Sequence, residues 1–279
     1  MTTTPVKITV VVDNQAASRL VPEHGLSLWI EAEAKHILFD TGQGKALVEN
    51  ARQLDIPLKK TDILVLSHGH YDHSGAVAQV LKIAPKVRLF LHPKAVIPRY
   101  SIAAVTQARP IGMPEAAQHA IGHLSDSRIV WTAGPVQLSE HIGVTGAIPR
   151  TTSFEDVGGP FFLDPRGKRE DTLADDQALW INTARGLVIC VGCSHAGIVN
   201  TLHQVKRLTR STVIHAVIGG FHLLNASPER LERTLEALKA ILPHQLMPCH
   251  CTGDGAVQAL ADAFSDRIVP VRAGMIFEF

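Results

Sequence analysis

The sequence predicts a layered α/β protein folded as one domain over residues 1–279, and three observations support that prediction. Short apolar runs of strand length recur throughout, stretches with helical spacing lie between them, and several runs end in a cluster of histidine, cysteine or aspartate. The runs at 63–66, 187–191, 213–218 and 245–248 are apolar at most positions, which suits strands covered on both faces. With 46% hydrophobic residues the chain can fill a core of that extent.

The elements follow in order. Residues 7–12, 26–32 and 36–39 read as strands of a meander, separated by Asn14, Pro22, Gly25 and charged residues. After Asp40-Thr41-Gly42, segment 44–54 spaces Ala46, Leu47, Ala51 and Leu54 as one helical face and stops before Pro57. The strand at 63–66 runs into a histidine cluster. Ser74 is then placed to cap a helix carrying Val77, Val80, Leu81 and Ala84, which Pro85 ends. Segment 93–172 has scattered Pro and Gly and no sustained period beyond runs such as 129–131. It is expected to be a cap or lid inserted over the site, with long surface connections as the alternative. Strands at 177–183 and 187–191 joined through Ala184-Arg185-Gly186, a helix at 198–208, a strand at 213–218, a helix at 228–242, a strand at 245–248, a helix at 256–264 and terminal strands near 268–271 and 275–279 complete the chain.

Charge and cysteine content exclude several classes. A net charge of +1, from 27 basic and 26 acidic residues, gives no field to gather nucleic acid or an anionic membrane, so a small molecule is the expected partner. No stretch approaches the roughly 18 to 20 apolar residues of a membrane span, and residues 1–12 do not read as a leader, so a cytoplasmic protein is expected. A homo-oligomer stays open. Four cysteines in so long a chain are not a disulfide framework. Cys190 and Cys193, three apart on a strand, would face opposite ways and read as structural, and could share a metal only if the strand ends between them. Cys249 and Cys251 would share a face opposite His250 and read as neighbours of a site.

The chemistry sits where the apolar runs end. Ser67-His68-Gly69-His70-Tyr71-Asp72-His73 places three histidines and a carboxylate within six residues, and the other clusters are Cys193-Ser194-His195, Gly219-Gly220-Phe221-His222 and Cys249-His250-Cys251-Thr252. Imidazoles with a carboxylate suit zinc, manganese or iron. His68 and His70, in alternation, can face one ion while Asp72 and His73 turn to a second, and His195 and His250 supply the remaining ligands. Two such ions share and activate a water, which is hydrolysis without a side-chain nucleophile.

His68-x-His70-x-Asp72-His73 after a buried strand, preceded by Phe39-Asp40-Thr41-Gly42, resembles the signature of the metallo-β-lactamase superfamily. Glu23-His24-Gly25-Leu26-Ser27, Gly192-Cys193-Ser194-His195-x-Gly197-Ile198, Gly220-Phe221-His222 and His250-Cys251-Thr252-Gly253 are similar to its dihydropterin ribofuranosylaminobenzene phosphate synthase-like (dihydropteroate-synthase-like) branch. The resemblance covers nearly the whole chain outside 93–172. It implies a four-layer αββα sandwich with a dinuclear site at one edge. It also implies metal ligation by His195 and His250, a catalytic role in substrate or proton handling for His222, and an orienting role for Asp40 behind a ligand histidine. Two departures stand out. The superfamily's Gly-Asp, which bridges the ions, is Gly192-Cys193 here, leaving a water as the expected bridge; and Asp175-Asp176-Gln177 stands where a histidine is expected, making Asp176 a candidate ligand or ligand support.

The expected function is therefore a metal-dependent hydrolase with two divalent ions, zinc foremost and manganese or iron as alternatives, acting on a phosphoester or acyl ester that is pterin- or nucleotide-like. Asp72 and His222 are the candidate catalytic groups, with His24, Asp40, Asp176 and Arg150 as supports or substrate contacts. Arg99, Arg109 and Arg150 are candidates for reading an anionic substrate. A di-iron oxidoreductase and a metabolite-binding protein with an inert centre are the alternatives. His119, His123 and His141 read as surface residues.

Overall fold

Period-two alternation builds the layers. In Ile37-Leu38-Phe39, Ile37 and Phe39 enter the core between two sheets while Leu38 faces helices on the other side, and every central strand repeats this division. The structure, a computed structural model, describes residues 5–103 and 107–279. Residues 1–4 of the expected leaderless start and 104–106 of the expected cap lie outside the described residues.

The chain begins with strands β1 (Lys7–Val12), β2 (Ser27–Ala32) and β3 (Lys35–Phe39), then helix α1 (Leu47–Gln53), strand β4 (Ile63–Val65), helices α2 (Tyr71–Ser74) and α3 (Val77–Ile83) and strand β5 (Arg88–Leu91). Next come β6 (Tyr100–Ser101), β7 (Arg109–Pro110), α4 (Glu115–Gly122), β8 (Ile129–Trp131), β9 (Val136–Gln137), β10 (Ile142–Val144) and β11 (Phe161–Phe162). The last stretch holds β12 (Ala178–Thr183), β13 (Gly186–Val191), α5 (Ile198–Thr209), β14 (Ile214–Gly220), α6 (Pro228–Ile241), β15 (Gln245–Cys249), α7 (Asp254–Phe264) and β16 (Ile276–Glu278).

One sheet runs β16-β1-β2-β3-β4-β5-β8 and a second β15-β14-β13-β12-β10-β9. Their facing residues, among them Ile8, Ile30, Phe39, Leu179, Val188 and Ile218, form the central core. Leu64 and Leu89 of the first sheet pack on Leu47, Val77 and Ala117 of α1, α3 and α4. Ile189 and Val217 of the second pack on Leu202, Leu238 and Leu260 of α5, α6 and α7. The arrangement is αββα. Helix α6 shows how local sequence fixes an element: the Ser227 side chain accepts the Arg230 backbone N–H at 3.1 Å and Pro228 opens the first turn. Truncating Leu202, fully buried on α5, to alanine would cost about 2–5 kcal/mol.

Three expectations change. Ser74 does not cap α3; it closes the short α2, its Oγ donating to the His70 carbonyl at 2.8 Å, and Ala76 stands at the start of α3 instead. Residues 268–271 form no strand; Pro270 breaks the ladder and leaves one bridge, Leu246 to Ile268. Segment 93–172 divides: β8 joins the first sheet, β9 and β10 join the second, and α4 packs on the outside, while β6, β7 and β11 make a separate small sheet.

The strand directions place the site. β3, β4, β5 and β8 are mutually parallel, as are β13, β14 and β15. The loops carrying Asp40, His68–His73, Cys193–His195, His222 and His250 all leave carboxyl ends of those strands, where α/β sheets collect their ligands. Asp40, Ser194, His222 and His250 have φ of 59°, 56°, 49° and 52°, so side-chain-bearing residues occupy left-handed backbone at this edge.

Candidate metal centre

A carboxylate organises the first loop. Asp40, fully buried, accepts the Ser67 backbone N–H at 2.7 Å and the Ser67 hydroxyl at 2.6 Å, and its Oδ2 lies 2.7 Å from His73 Nδ1. His70 is extended and the chain then turns into α2, so His68 and His70 approach each other, Nε2 to Nδ1, at 3.0 Å while Asp72 and His73 come from the helix. Between them Gly69 donates its N–H to Asp175 Oδ2 at 2.8 Å. A Cβ there would run into the Ala95 carbonyl, so the loop needs glycine.

The partners set the histidine tautomers. The Ser67 hydroxyl is spent on Asp40, so His68 Nδ1–H donates to Ser67 Oγ (2.9 Å); His73 Nδ1–H donates to Asp40; His195 Nδ1–H donates to the Val157 carbonyl (2.9 Å); and His250 Nδ1–H donates to Asn14 Oδ1 (2.9 Å). Neutral imidazoles so bonded turn an Nε2 lone pair inward, as a metal requires. His195 Nε2 and His70 Nε2 are buried with no hydrogen-bond partner, and His73 Nε2 faces His250 Nε2 at 3.2 Å.

Two donor sets result. Single atoms of His68, His70 and His195 lie within 4.8 Å of one another. Asp72 Oδ2 stands 3.4 Å from His250 Nε2 and 3.7 Å from His73 Nε2. His24 Nε2 reaches the same carboxylate oxygen at 3.2 Å.

Electrostatics suit cation binding. Burial, reinforced by the neighbouring imidazoles, holds His68 and His195 well below the ordinary histidine range; at His70 burial dominates a counteracting Asp72. Burial alone would raise Asp72, but facing His73 and hydrogen bonds from His24 and His250 keep it well below the carboxylate range. Burial works against a charge on His73, yet Asp40 and Asp72 raise it to about 9. A proton there stands in for the cation that two opposed lone pairs need.

Several expected contacts lie elsewhere. Arg99 is buried and paired with Asp171 (2.6 Å) and Asp175, so it cannot read a substrate. Arg150, exposed, takes the supporting one of its two expected roles: it donates to the His195 carbonyl at 2.6 Å and the Glu155 carbonyl at 3.0 Å, propping the His195 loop. Asp176 is not among the donors facing the ligand clusters. Its Oδ2 accepts the Ala196 N–H at 2.7 Å beneath the same loop, and burial raises it to about 7. Arg109 is exposed and lines the pocket over the centre, about 340 Å³ in volume, with Tyr71, Phe161, His222 and Asn225. The His222 ring lies 4.2 Å from that of His195, and its Nδ1 is buried without a partner. Gly158 makes room for it, since a Cβ there would strike the imidazole.

Among the cysteines, Cys190 and Cys251 stand as expected while Cys193 and Cys249 do not. β13 ends at Val191, so Cys190 enters the inter-sheet core while Cys193 turns into the cluster, its Sγ 3.1 Å from His73 Nε2. Residues 250–252 coil into a 3₁₀ turn after Cys249, so Cys249 joins the core and Cys251 lines the pocket. Asn14, which reads in the sequence only as a break between strands, and Phe161 also join the site; neither lies in a recognisable functional pattern. The loss of Asp from Gly-Asp was the available sign for Cys193.

The comparisons bear on family and fold. The sequence profile of the metallo-beta-lactamase superfamily matches residues 20–208. A Methanocaldococcus jannaschii protein named 7,8-dihydropterin-6-methyl-4-(beta-D-ribofuranosyl)-aminobenzene-5'-phosphate synthase is 32% identical over 268 residues, covering 92% of this chain and 90% of its own. A crystal structure described as a metal-dependent hydrolase of the beta-lactamase superfamily superposes with a TM-score of 0.84 at 28% identity, covering 98% of this chain and 99% of its own. A diphosphatase of the PhnP family, at 13% identity, TM-score 0.53 and coverage of 99% and 97%, shares the fold.

Proposed function

The chain belongs to the metallo-β-lactamase superfamily, and on that premise we propose that it is a metal-dependent hydrolase with two divalent ions, acting on an anionic phosphoester. The carrying observation is the set of inward Nε2 atoms, two of them buried without partners. Buried imidazole nitrogens are ordinarily paired, and a cation satisfies these. His68, His70 and His195 would hold one ion, and Asp72, His73 and His250 the other. When bound, the ions supply Lewis acidity and bring the pKa of a coordinated water toward neutrality. Asp40, Ser67, Val157 and Asn14 keep the imidazoles aimed and in the required tautomer. His222, beside His195 and at the pocket wall, handles the substrate or its proton. Arg109 provides a guanidinium for a phosphate, and Phe161, 5.4 Å from both His70 and His195, a ring face for a planar group.

A second reading is transfer to an amine in place of water, favoured by the relative named as a synthase of an aminobenzene-linked phosphate. The test is metal analysis of the purified protein together with turnover of a chromogenic phosphodiester before and after chelation. Two equivalents of zinc or manganese and chelation-sensitive hydrolysis support the proposal. Iron with a redox-active absorption band points to an oxidoreductase, and bound metal without turnover of any ester points to transfer or simple binding.

A further inference from the structure

We propose that Cys193 is a ligand of the centre, a thiolate shared between the two ions; the inference rests on the dinuclear reading above and adds sulfur to it. β13 ends at Val191, and the turn that follows is held tightly: Gly220 donates its N–H to the Gly192 carbonyl at 2.9 Å and the Ser194 hydroxyl donates to the Gly220 carbonyl at 2.8 Å. A side chain at Gly192 would strike Ser67, so the turn passes directly against the histidine loop. Sγ of Cys193 is thereby delivered among donors of both sets. It groups with His68 and His73, with His195 and His222, and with His250 and Cys251, each group within 4.8 Å. Among the described residues no other donor belongs to three groups.

The fold gives this sulfur no other use. Cys190 and Cys249 pack in the apolar core between the sheets, as buried cysteines do when they act as small hydrophobes. Cys193, 3% exposed, belongs to none of the described hydrophobic clusters; its neighbours are imidazoles and the Cys251 thiol. It occupies the place after the strand where the wider superfamily was expected to show a bridging aspartate, so a one-residue exchange replaces a carboxylate bridge with a thiolate. On binding, each metal–sulfur bond forms at the sulfur vacated by the S–H proton, which leaves to solvent. Thiolate donors favour zinc, iron or cobalt(II) over manganese or magnesium, so the sulfur also narrows the metals the centre retains.

The experiment is a cobalt(II) titration of the full-length, chelator-stripped, reduced protein, read by absorption and by metal count. The expected result is two equivalents bound with a thiolate-to-cobalt charge-transfer band in the near ultraviolet. That band is lost in Cys193→Ser and kept in Cys251→Ser. Cys193→Asp, which restores a bridging carboxylate, should keep two equivalents without the band and stands in if the serine variant does not fold. Two cobalt ions with no charge-transfer band in the wild type, or a band that survives in both Cys193 variants, overturns the assignment while leaving the dinuclear centre intact. Failure to bind cobalt at all would remove the centre itself.

Discussion

His73 Nε2 and His250 Nε2 face each other at 3.2 Å although 177 residues separate them in the chain. Each ring spends its Nδ1–H on a fixed acceptor, Asp40 for one and Asn14 for the other, so two lone pairs converge. Such an arrangement is stable only around a cation or a proton. His250→Ala should therefore lose about one metal equivalent per chain, measured by elemental analysis after dialysis. The backbone stays anchored by Asp13, which accepts the His250 N–H at 3.0 Å, so the fold should persist by circular dichroism. Unchanged stoichiometry would remove His250 from the ligand set.

Much of this geometry was legible because apolar runs mark buried strands and because a parallel strand delivers its loop to a known edge. The His68–His73 cluster and the distant histidines could be picked out on that ground, whereas the orienting role of Asp40 followed from the family resemblance. Other contacts were not legible, for physical reasons. Arg99 and Arg150 carry the same guanidinium as Arg109, and only tertiary packing decides that one meets Asp175, another a carbonyl, and the third the pocket. Cys193 and Cys249 depart from expectation because β13 ends at Val191 and β15 at Cys249, so strand alternation does not carry through the turns that follow. Glu23 illustrates the same limit. Its carboxylate accepts backbone N–H groups of Gln43, Gly44, Lys45 and Ala46 ahead of α1, a capping role twenty or more residues away in sequence.

His222 lines the pocket on left-handed backbone with φ of 49°, and its buried Nδ1 makes no hydrogen bond. Replacement by alanine should lower kcat by about 10² to 10⁴, the span of a general acid or base, with metal content unchanged. Loss of metal in that variant would make His222 a ligand instead.

Asp176 links pH to stability. Its unfolded pKa lies near 3.8; burial raises it to about 7 in the fold, only partly opposed by the Ala196 N–H. Between about pH 4 and pH 7 the unfolded chain releases this proton while the folded one retains it, so stability falls across that window and levels off above it. Asp176→Asn keeps an acceptor for Ala196 and removes the ionisation. In chelated protein, its stability gain over wild type should be absent near pH 4, grow to about pH 7 and then stay constant, with a ceiling on the order of 4 kcal/mol. Urea melts at each pH measure it. A gain that does not vary with pH would mean that Asp176 is ionised throughout.

Arg99 and Arg109 should respond oppositely to the same substitution. Arg99 is 1% exposed and neutralises Asp171 and Asp175, and Asp175 in turn holds Gly69 between the two metal-loop histidines. Arg99→Met strands two buried carboxylates, which should cost about 3–5 kcal/mol of stability and loosen metal retention. Arg109 is exposed at the pocket, so Arg109→Met should leave the melting midpoint nearly unchanged. Its effect belongs to substrate discrimination: kcat/KM for a phosphodiester should fall by roughly ten-fold or more, the loss of one charge-assisted hydrogen bond of about 1.5 kcal/mol, while an uncharged ester of similar size is hydrolysed as before. Melting curves and parallel kinetics on the two variants separate the roles. Equal losses on charged and uncharged esters in Arg109→Met would show that the guanidinium does not read the anion, and the substrate class would reopen to lactones and thioesters.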